Sequence, residues 1–421
     1  MLGEQWLRRV VAVRPEEVRA LLWSFAYFFC LLAGYYILRP LRDEMGVAGG
    51  VKNLQWLFTA TFVAMLAAVP CYGALVARVP RRLFIPLVYH FFVANLAIFW
   101  LALELGVDRA LVARVFFVWV SVFNLFAVSV FWSFMADIYR SEQAKRLYGF
   151  IAAGGTAGGL AGPAITIALA QAIGTVHLIV VAALLLEAAV YCATRLEPSE
   201  GATRQASVGG GALDGLAMVL RSPYIAGILL WVALLSIAAT FLYFAQAQIV
   251  ADTSSDPAVR TRIFATVDLA VGVLTLAVQF LATGKLIQRY GVGPALALVP
   301  VVFVGGFAVL AATPVLAIVI AFQALQRTAN FAISNPAREV LFTVLARDEK
   351  YKAKNVIDTL GARGADAVGG WLVTGLRALG MQARELAVSA IVVAAAGLVL
   401  SLALGRAQGR RAAAVGATPT L

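Results

Sequence analysis

Charge is what this sequence has least of. Asp and Glu number 22, Lys and Arg 34, and only 13% of the 421 residues carry a charged side chain. A soluble domain uses about 25%, so a chain that is 62% hydrophobic cannot cover itself with polar surface. The three cysteines, Cys30, Cys71 and Cys192, lie in apolar runs without C-x-x-C spacing, which excludes a disulfide framework or a thiolate metal site. The only two histidines, His90 and His177, have no metal-ligand spacing to cysteines or carboxylates. A phosphate-cradling G-x-x-x-x-G-K-[ST] is missing, and with it a nucleotide-driven pump. A serine nucleophile elbow is missing too. The sequence therefore predicts no enzyme, no cofactor and no metal.

Long apolar runs are abundant instead. A helix needs about 20 residues to cross roughly 30 Å of hydrocarbon, and twelve such spans are readable: 20–38, 54–76, 83–103, 112–135, 148–173, 176–194, 224–250, 263–287, 293–312, 314–344, 355–379 and 386–404. They lack period-2 alternation and exceed a barrel strand, so the expected fold is an all-α integral membrane protein. With the N-terminus inside, most Lys and Arg fall in inner loops, which places both termini in the cytoplasm and the chain, multi-pass, in the inner (cytoplasmic) membrane. The net charge of +12 then reflects topology and anionic lipid, with no nucleic-acid partner. Arg8, Arg9, Arg14 and Arg19 lead into a run too long for a cleavable signal, so the first helix is expected to stay.

Arg195 to Ser222 is the one extended hydrophilic segment inside the chain. It divides a six-helix bundle, 1–194, from another, 223–421, with 195–222 as a cytoplasmic linker. The halves echo each other: Gly73-Ala74-Leu75-Val76-Ala77-Arg78 returns as Gly284-Lys285-Leu286-Ile287-Gln288-Arg289, and Ala144-Lys145-Arg146 as Ala353-Lys354-Asn355. Two parallel six-helix repeats are the plan of a rocking, alternating-access transporter. The first pattern resembles the G-x-L-x-x-R-x-G loop of the major facilitator superfamily. That resemblance implies that Arg78, Arg81, Arg82, Lys285 and Arg289 latch loops or helix ends. Gly154-Gly155-Thr156-Ala157-Gly158-Gly159-Leu160-Ala161-Gly162-Pro163 in the fifth span gives overlapping G-x-x-x-G spacings that let backbones approach closely.

Ionisable groups inside hydrocarbon are costly and mark candidate sites. The first apolar run stops at Ile37-Leu38-Arg39-Pro40-Leu41-Arg42-Asp43-Glu44, which puts mixed charges and a proline at a helix end, before the flexible Gly46-Val47-Ala48-Gly49-Gly50. In the tenth span Arg327 and Arg338 project within about 20° of each other at helical spacing, with Asn330, Asn335 and Glu339 around them. In the eleventh, Asp358, Arg363 and Asp366 fall within roughly 140° of arc, and Arg363 with Asp366 is an i, i+3 pair. Helices 1, 4, 7 and 10 line the central cavity in the superfamily, so the resemblance adds Tyr35, Asn124 and Gln246 to the substrate-binding candidates Arg39, Arg42, Arg327, Asn330, Arg338 and Arg363. Asp43, Asp137, Lys145, Arg146, Glu339, Asp358 and Asp366 are the candidates for coupling or gating. Glu187 and Asp268 are read as structural pairs or proton handlers.

Three segments together resemble the ATP/ADP translocase family of nucleotide exchangers: Tyr36-Ile37-Leu38-Arg39-Pro40-Leu41-Arg42-Asp43; Phe131-Trp132-Ser133-Phe134 with Glu142-Gln143-Ala144-Lys145-Arg146-Leu147-Tyr148; and Asn335-Pro336-Ala337-Arg338-Glu339 with Lys352-Ala353-Lys354-Asn355-Val356-Ile357-Asp358. The likeness implies that Arg42, Arg338 and Arg363 contact an anionic substrate, such as a nucleotide, and that transport is by exchange. Two positions depart from the family: Asp366 stands where its helix 11 lysine aligns, and its helix 4 carboxylate has no counterpart near Val120 to Asn124. The expectation is a monomeric secondary transporter moving a small organic anion across the lipid bilayer by exchange or proton coupling. The alternatives are a proton-coupled exporter of a cationic or zwitterionic compound and a non-transporting membrane receptor.

Overall fold

The computed structural model describes residues 13–78, 81–196, 219, 221–281 and 283–416. Regular structure among them is helical throughout. We number the long helices α1 (Val18–Ala48), α2 (Leu54–Arg78), α3 (Arg81–Glu104), α4 (Arg109–Ile138), α5 (Ser141–Leu169) and α6 (Thr175–Thr194). Then come α7 (Pro223–Thr253), α8 (Pro257–Leu281), α9 (Val292–Ala312), α10 (Leu316–Val344), α11 (Arg347–Val356, Ile357–Gly361 and Ala362–Ala378) and α12 (Ala383–Gly416). Ten are long and apolar enough to cross a membrane, and α2 with the charge-bearing α11 completes the twelve. A short helix, Thr283–Tyr290, carries the second copy of the loop pattern between α8 and α9.

Local chemistry explains the boundaries. Asp108 caps α4 by accepting from the Ala110 and Leu111 amides at 3.2 and 3.3 Å. Asp256 accepts from the Ala258 amide at 2.8 Å, with Pro257 at the first helical position of α8. This pair starts α8 at 257, six residues before the span read from hydropathy. Between α1 and α2 the chain turns at Gly50, whose φ of 95° belongs to glycine.

The structure corrects the reading of the first span in one respect. α1 does not stop at Leu38 but continues to Ala48 with Pro40 inside it, so Arg39, Arg42, Asp43 and Glu44 belong to the helix body. Gly46 and Val47, read as flexible, are helical and buried. A proline costs the ladder one hydrogen bond, and the packing of α1 against α4, α5 and α6 carries the helix past it.

By contact density the chain forms two compact units, one of residues 1–49, 67–206 and 254–269, the other of 50–66, 207–253 and 270–421. In the first unit α1 packs on α4, α5 and α6, and α3 packs on α4 and α6. In the second, α7 packs on α10, α11 and α12, and α9 packs on α10 and α12. Advancing each helix number by six converts one set of pairings into the other, which is the structural counterpart of the sequence echo.

Glycine closes the α1–α5 seam of the first unit. A Cβ on Gly154 would lie 2.5 Å from the Phe25 carbonyl oxygen, one on Gly162 would lie 2.6 Å from that of Ala33, and one on Gly158 would overlap that of Phe29. The fifth-span glycines therefore seat α5 directly on the α1 backbone, next to the Tyr35 to Arg39 stretch. Replacing Gly158 with leucine should cost more than the about 1–3 kcal/mol typical of overpacking, seen as loss of monodisperse protein in detergent. Gly149→Ala, with nothing within 4 Å of the new Cβ, should leave the melting temperature unchanged or raise it.

Candidate functional site

Each unit holds a set of paired charges on its spans. In the first, four arginines meet three carboxylates among the described residues. Arg42 turns back on its neighbour, donating from Nη2 at 2.7 Å and Nε at 3.1 Å to Asp43 Oδ1, with Nη1 reaching Ser121 Oγ at 3.4 Å and the guanidinium 4.8 Å above the Phe117 ring. Arg39 Nε lies 3.7 Å from Asp268 Oδ2, a carboxylate 2% exposed on α8. Glu44 has no solvent exposure and is clasped from both sides, by Arg260 Nη2 at 2.7 Å and Arg109 Nη2 at 3.3 Å. Arg114 adds a long hydrogen bond to the Gly49 carbonyl. Tyr35 is buried against Tyr36 and Phe123, with ring centroids 5.2 and 6.4 Å away.

Removing an ion from water costs several kcal/mol, which a close counter-charge must offset. Glu44 satisfies that condition twice. Glu44 stands out in the sequence as part of the charged cluster, but its partners Arg109 and Arg260 do not, because both follow a helix-capping aspartate and look like loop charges that set topology. Asp268, read as a structural pair or proton handler, is the counter-ion of Arg39.

The second group lies on α7, α10 and α11. Gln323 Nε2 donates to Gln246 Oε1 at 2.8 Å, both side chains being buried, and ties α10 to α7. Arg338 meets Asp358 at 3.1 Å, its own Nε buried and without a hydrogen bond among the described residues. Glu339 takes Lys354 with both oxygens, at 2.8 and 2.9 Å. Arg363 pairs with Asp366 at 3.3 Å. Arg327 stands 6.0 Å over the Phe331 ring, and Asn330 is half-buried at the start of the segment described next.

Two π-helical segments, Asn330–Ser334 in α10 and Ile357–Gly361 in α11, alter the expected geometry. A π turn holds one residue more than an α turn, so side chains beyond it are carried round by about 100° relative to a straight helix. The segment in α10 lies between Arg327 and Arg338 and removes the alignment within about 20° expected of them. The Thr283 hydroxyl donates to the carbonyl of Ala332 inside that segment at 2.8 Å, which helps explain why it persists.

The remaining candidates have other surroundings. Asn124 and Asp137 are half-buried on α4. Lys145 is exposed and pairs with Glu142 at 3.0 Å. Arg146 joins the buried Glu17 at 3.0 Å, and Gln143 donates to the same carboxylate at 3.0 Å. Nearby, burial pushes the Tyr139 phenol up to about 12, and its hydroxyl shares a 2.9 Å hydrogen bond with Ser24. Arg289 stands 5.6 Å over the Tyr290 ring and Lys285 is exposed. The side chains of Arg78, Arg81 and Arg82, and nearly all of the 195–222 segment, lie outside the described residues.

Among the described residues, twelve long helices in two units of matching pairing, with paired charges inside the spans, make a multi-pass membrane protein, and its family makes it a transporter rather than an enzyme. A family model described as the Major Facilitator Superfamily matches residues 21–353, and the chain belongs to that superfamily. Among solved structures it resembles a mutant of the nucleoside transporter NupG at 14% identity and a TM-score of 0.65, covering 93% of this chain and 99% of that one. A bacterial homologue of the human lysosomal transporter Spinster shares 14% identity at a TM-score of 0.64, covering 95% and 99%. A bacterial homologue of the iron transporter ferroportin shares 12% at 0.65, covering 94% and 99%. No curated protein matches.

Removing one partner of a buried ion pair costs about 3–5 kcal/mol. Glu44→Gln, which leaves Arg109 and Arg260 facing a neutral amide, should lower stability by that order in thermal unfolding of the purified protein. An unchanged melting temperature would show that the clasp contributes nothing.

Proposed function

We propose that this chain is a secondary active transporter that moves an organic anion by alternating access, with a nucleotide or another phosphorylated metabolite as the leading cargo. The reading places both termini in the cytoplasm and treats residues 1–194 and 223–421 as the two bundles that move. The observation that carries it is Arg338: a membrane-embedded guanidinium with one carboxylate partner, Asp358, and a buried Nε left unbonded among the described residues. Such a group can exchange its internal counter-ion for the anionic group of a substrate, because carboxylate and phosphate meet the guanidinium fork in the same bidentate way.

Arg363 and Asp366 form a second exchangeable pair, which supports an anion more than a cation, since Asp366 already has a positive partner. Substrate arrival would free Asp358 and Asp366, and coupling follows from where these carboxylates then go. Glu339 with Lys354 ties α11 to α10, and Glu17 with Arg146 ties α5 to the segment before α1, which fits a gating role. At the other end of α1, Arg39 with Asp268 and Glu44 with Arg260 join α1 to α8, and these contacts would have to break for the outer side to open.

Proteoliposomes loaded with an unlabelled nucleotide should accumulate the labelled one from outside. Absence of saturable counterflow across a panel of nucleotides and sugar phosphates would reject the phosphorylated cargo. Arg338→Ala should lower uptake of the identified anion on the order of a hundredfold, as expected when about 3 kcal/mol of charge-assisted binding is lost, while the protein still inserts and melts cooperatively. Full transport by Arg338→Ala would remove this residue from the binding site.

A further inference from the structure

One end of the second unit holds a cavity of about 250 Å³ between α7, α9, α11 and α12. Its wall is mostly apolar, with Phe241 and Phe244 deepest along α7 and Phe307 and Leu386 nearer the helix ends. The polar groups are confined to helix ends: Asp252 stands next to Thr253, the last residue of α7, and Arg377 next to Ala378, the last of α11. Phe241 lies twelve residues before the end of α7, roughly 18 Å along the helix at 1.5 Å per residue. The cavity therefore changes from charged at its mouth to hydrocarbon-like at its floor.

The two charges at the mouth do not neutralise each other. Asp252 accepts from Gln248 Nε2 at 3.0 Å, and Arg377, half-buried, has no hydrogen bond or ion pair among the described residues. A guanidinium offers five donors, and one that opens onto an apolar cavity gains most from an anionic ligand group. A purely anionic ligand would meet the Asp252 carboxylate and a purely cationic one would meet Arg377. A ligand with both charges is opposed by neither.

We infer that this cavity binds a zwitterionic amphiphile, namely a membrane phospholipid with a phosphoethanolamine head. The phosphate is held by Arg377, the ammonium by Asp252, and part of an acyl chain is packed against Phe241, Phe244, Phe307 and Leu386. The site is enclosed by helices of one unit, away from Arg338 and Asp358, so it stands whatever solute the protein carries.

The test uses the full chain, purified and delipidated in detergent, titrated with phosphatidylethanolamine, with phosphatidylglycerol, and with free phenylalanine, which has both charges but no acyl chain. Phosphatidylethanolamine should raise the melting temperature and remain bound in native mass spectrometry. Arg377→Gln should weaken that binding on the order of tenfold, the loss of about one charge-assisted bond. Asp252→Asn should abolish the preference for phosphatidylethanolamine over phosphatidylglycerol, and Leu386→Trp, which narrows the cavity, should remove one bound lipid. The proposal is overturned by unchanged lipid binding in Arg377→Gln, by tighter binding of phosphatidylglycerol to the unmodified chain, or by an equal shift with phenylalanine. Should Leu386→Trp not fold, Arg377→Gln at the half-exposed mouth decides the question alone.

Discussion

A charge taken out of water must find its partner inside the protein, and the course of α1 follows from that requirement. Four ionisable side chains in six residues, Arg39 to Glu44, would break a membrane helix if each had to reach solvent. Arg39 instead meets Asp268, Arg42 meets Asp43, and Glu44 meets two arginines. With these pairs made, the helix can run through Pro40 to Ala48, and the first residues of α4 and α8 are held against it. The glycine seam with α5 acts on the same helix, so backbone contact and charge pairing fix α1 together.

The apolar runs, their number and the internal echo were legible because lipid imposes one rule on every span: backbone groups bonded internally and apolar side chains outward. Boundaries were less so. Mixed charge and proline after Leu38 look like a helix end in any hydropathy profile, and only the partners on α4 and α8, far away in sequence, turn them into helix interior. Arg109 and Arg260 hid for the converse reason, since a basic residue in the first turn or so after a capping aspartate has an adequate local explanation. Gln246 was noticed while its partner Gln323 was not, because a glutamine in a long apolar run gives no sign of where its amide points. The π segments leave no composition signal, so the angle between Arg327 and Arg338 could not be read from spacing.

The repeat is kept in packing and relaxed in chemistry. Each unit uses the same pairings among its helices, but the fifth helices pair differently: Arg146 holds Glu17 before α1, while Lys354, the counterpart of Lys145, holds Glu339 on α10. Each closes a main seam with glycine, α5 on α1 in the first and Gly405 on Gly293 between α12 and α9 in the second. The first concentrates its arginines near the far end of α1. The second distributes Arg327, Arg338 and Arg363 along α10 and α11, where π turns widen the helices. A duplicated scaffold thus carries two different charge patterns, and only the scaffold is constrained by packing.

The π segment of α10 also gives that helix a rotary degree of freedom. Returning Asn330–Ser334 to a plain α ladder would turn everything after it by about 100° and move it about 1.5 Å along the axis, which swings the Arg338 guanidinium out of the arc facing Asp358. The hydroxyl of Thr283, bonded to the Ala332 carbonyl, belongs to the short helix that carries Lys285 and Arg289. The loop pattern after α8 is therefore bonded to α10 within the segment whose pitch sets the direction of Arg338.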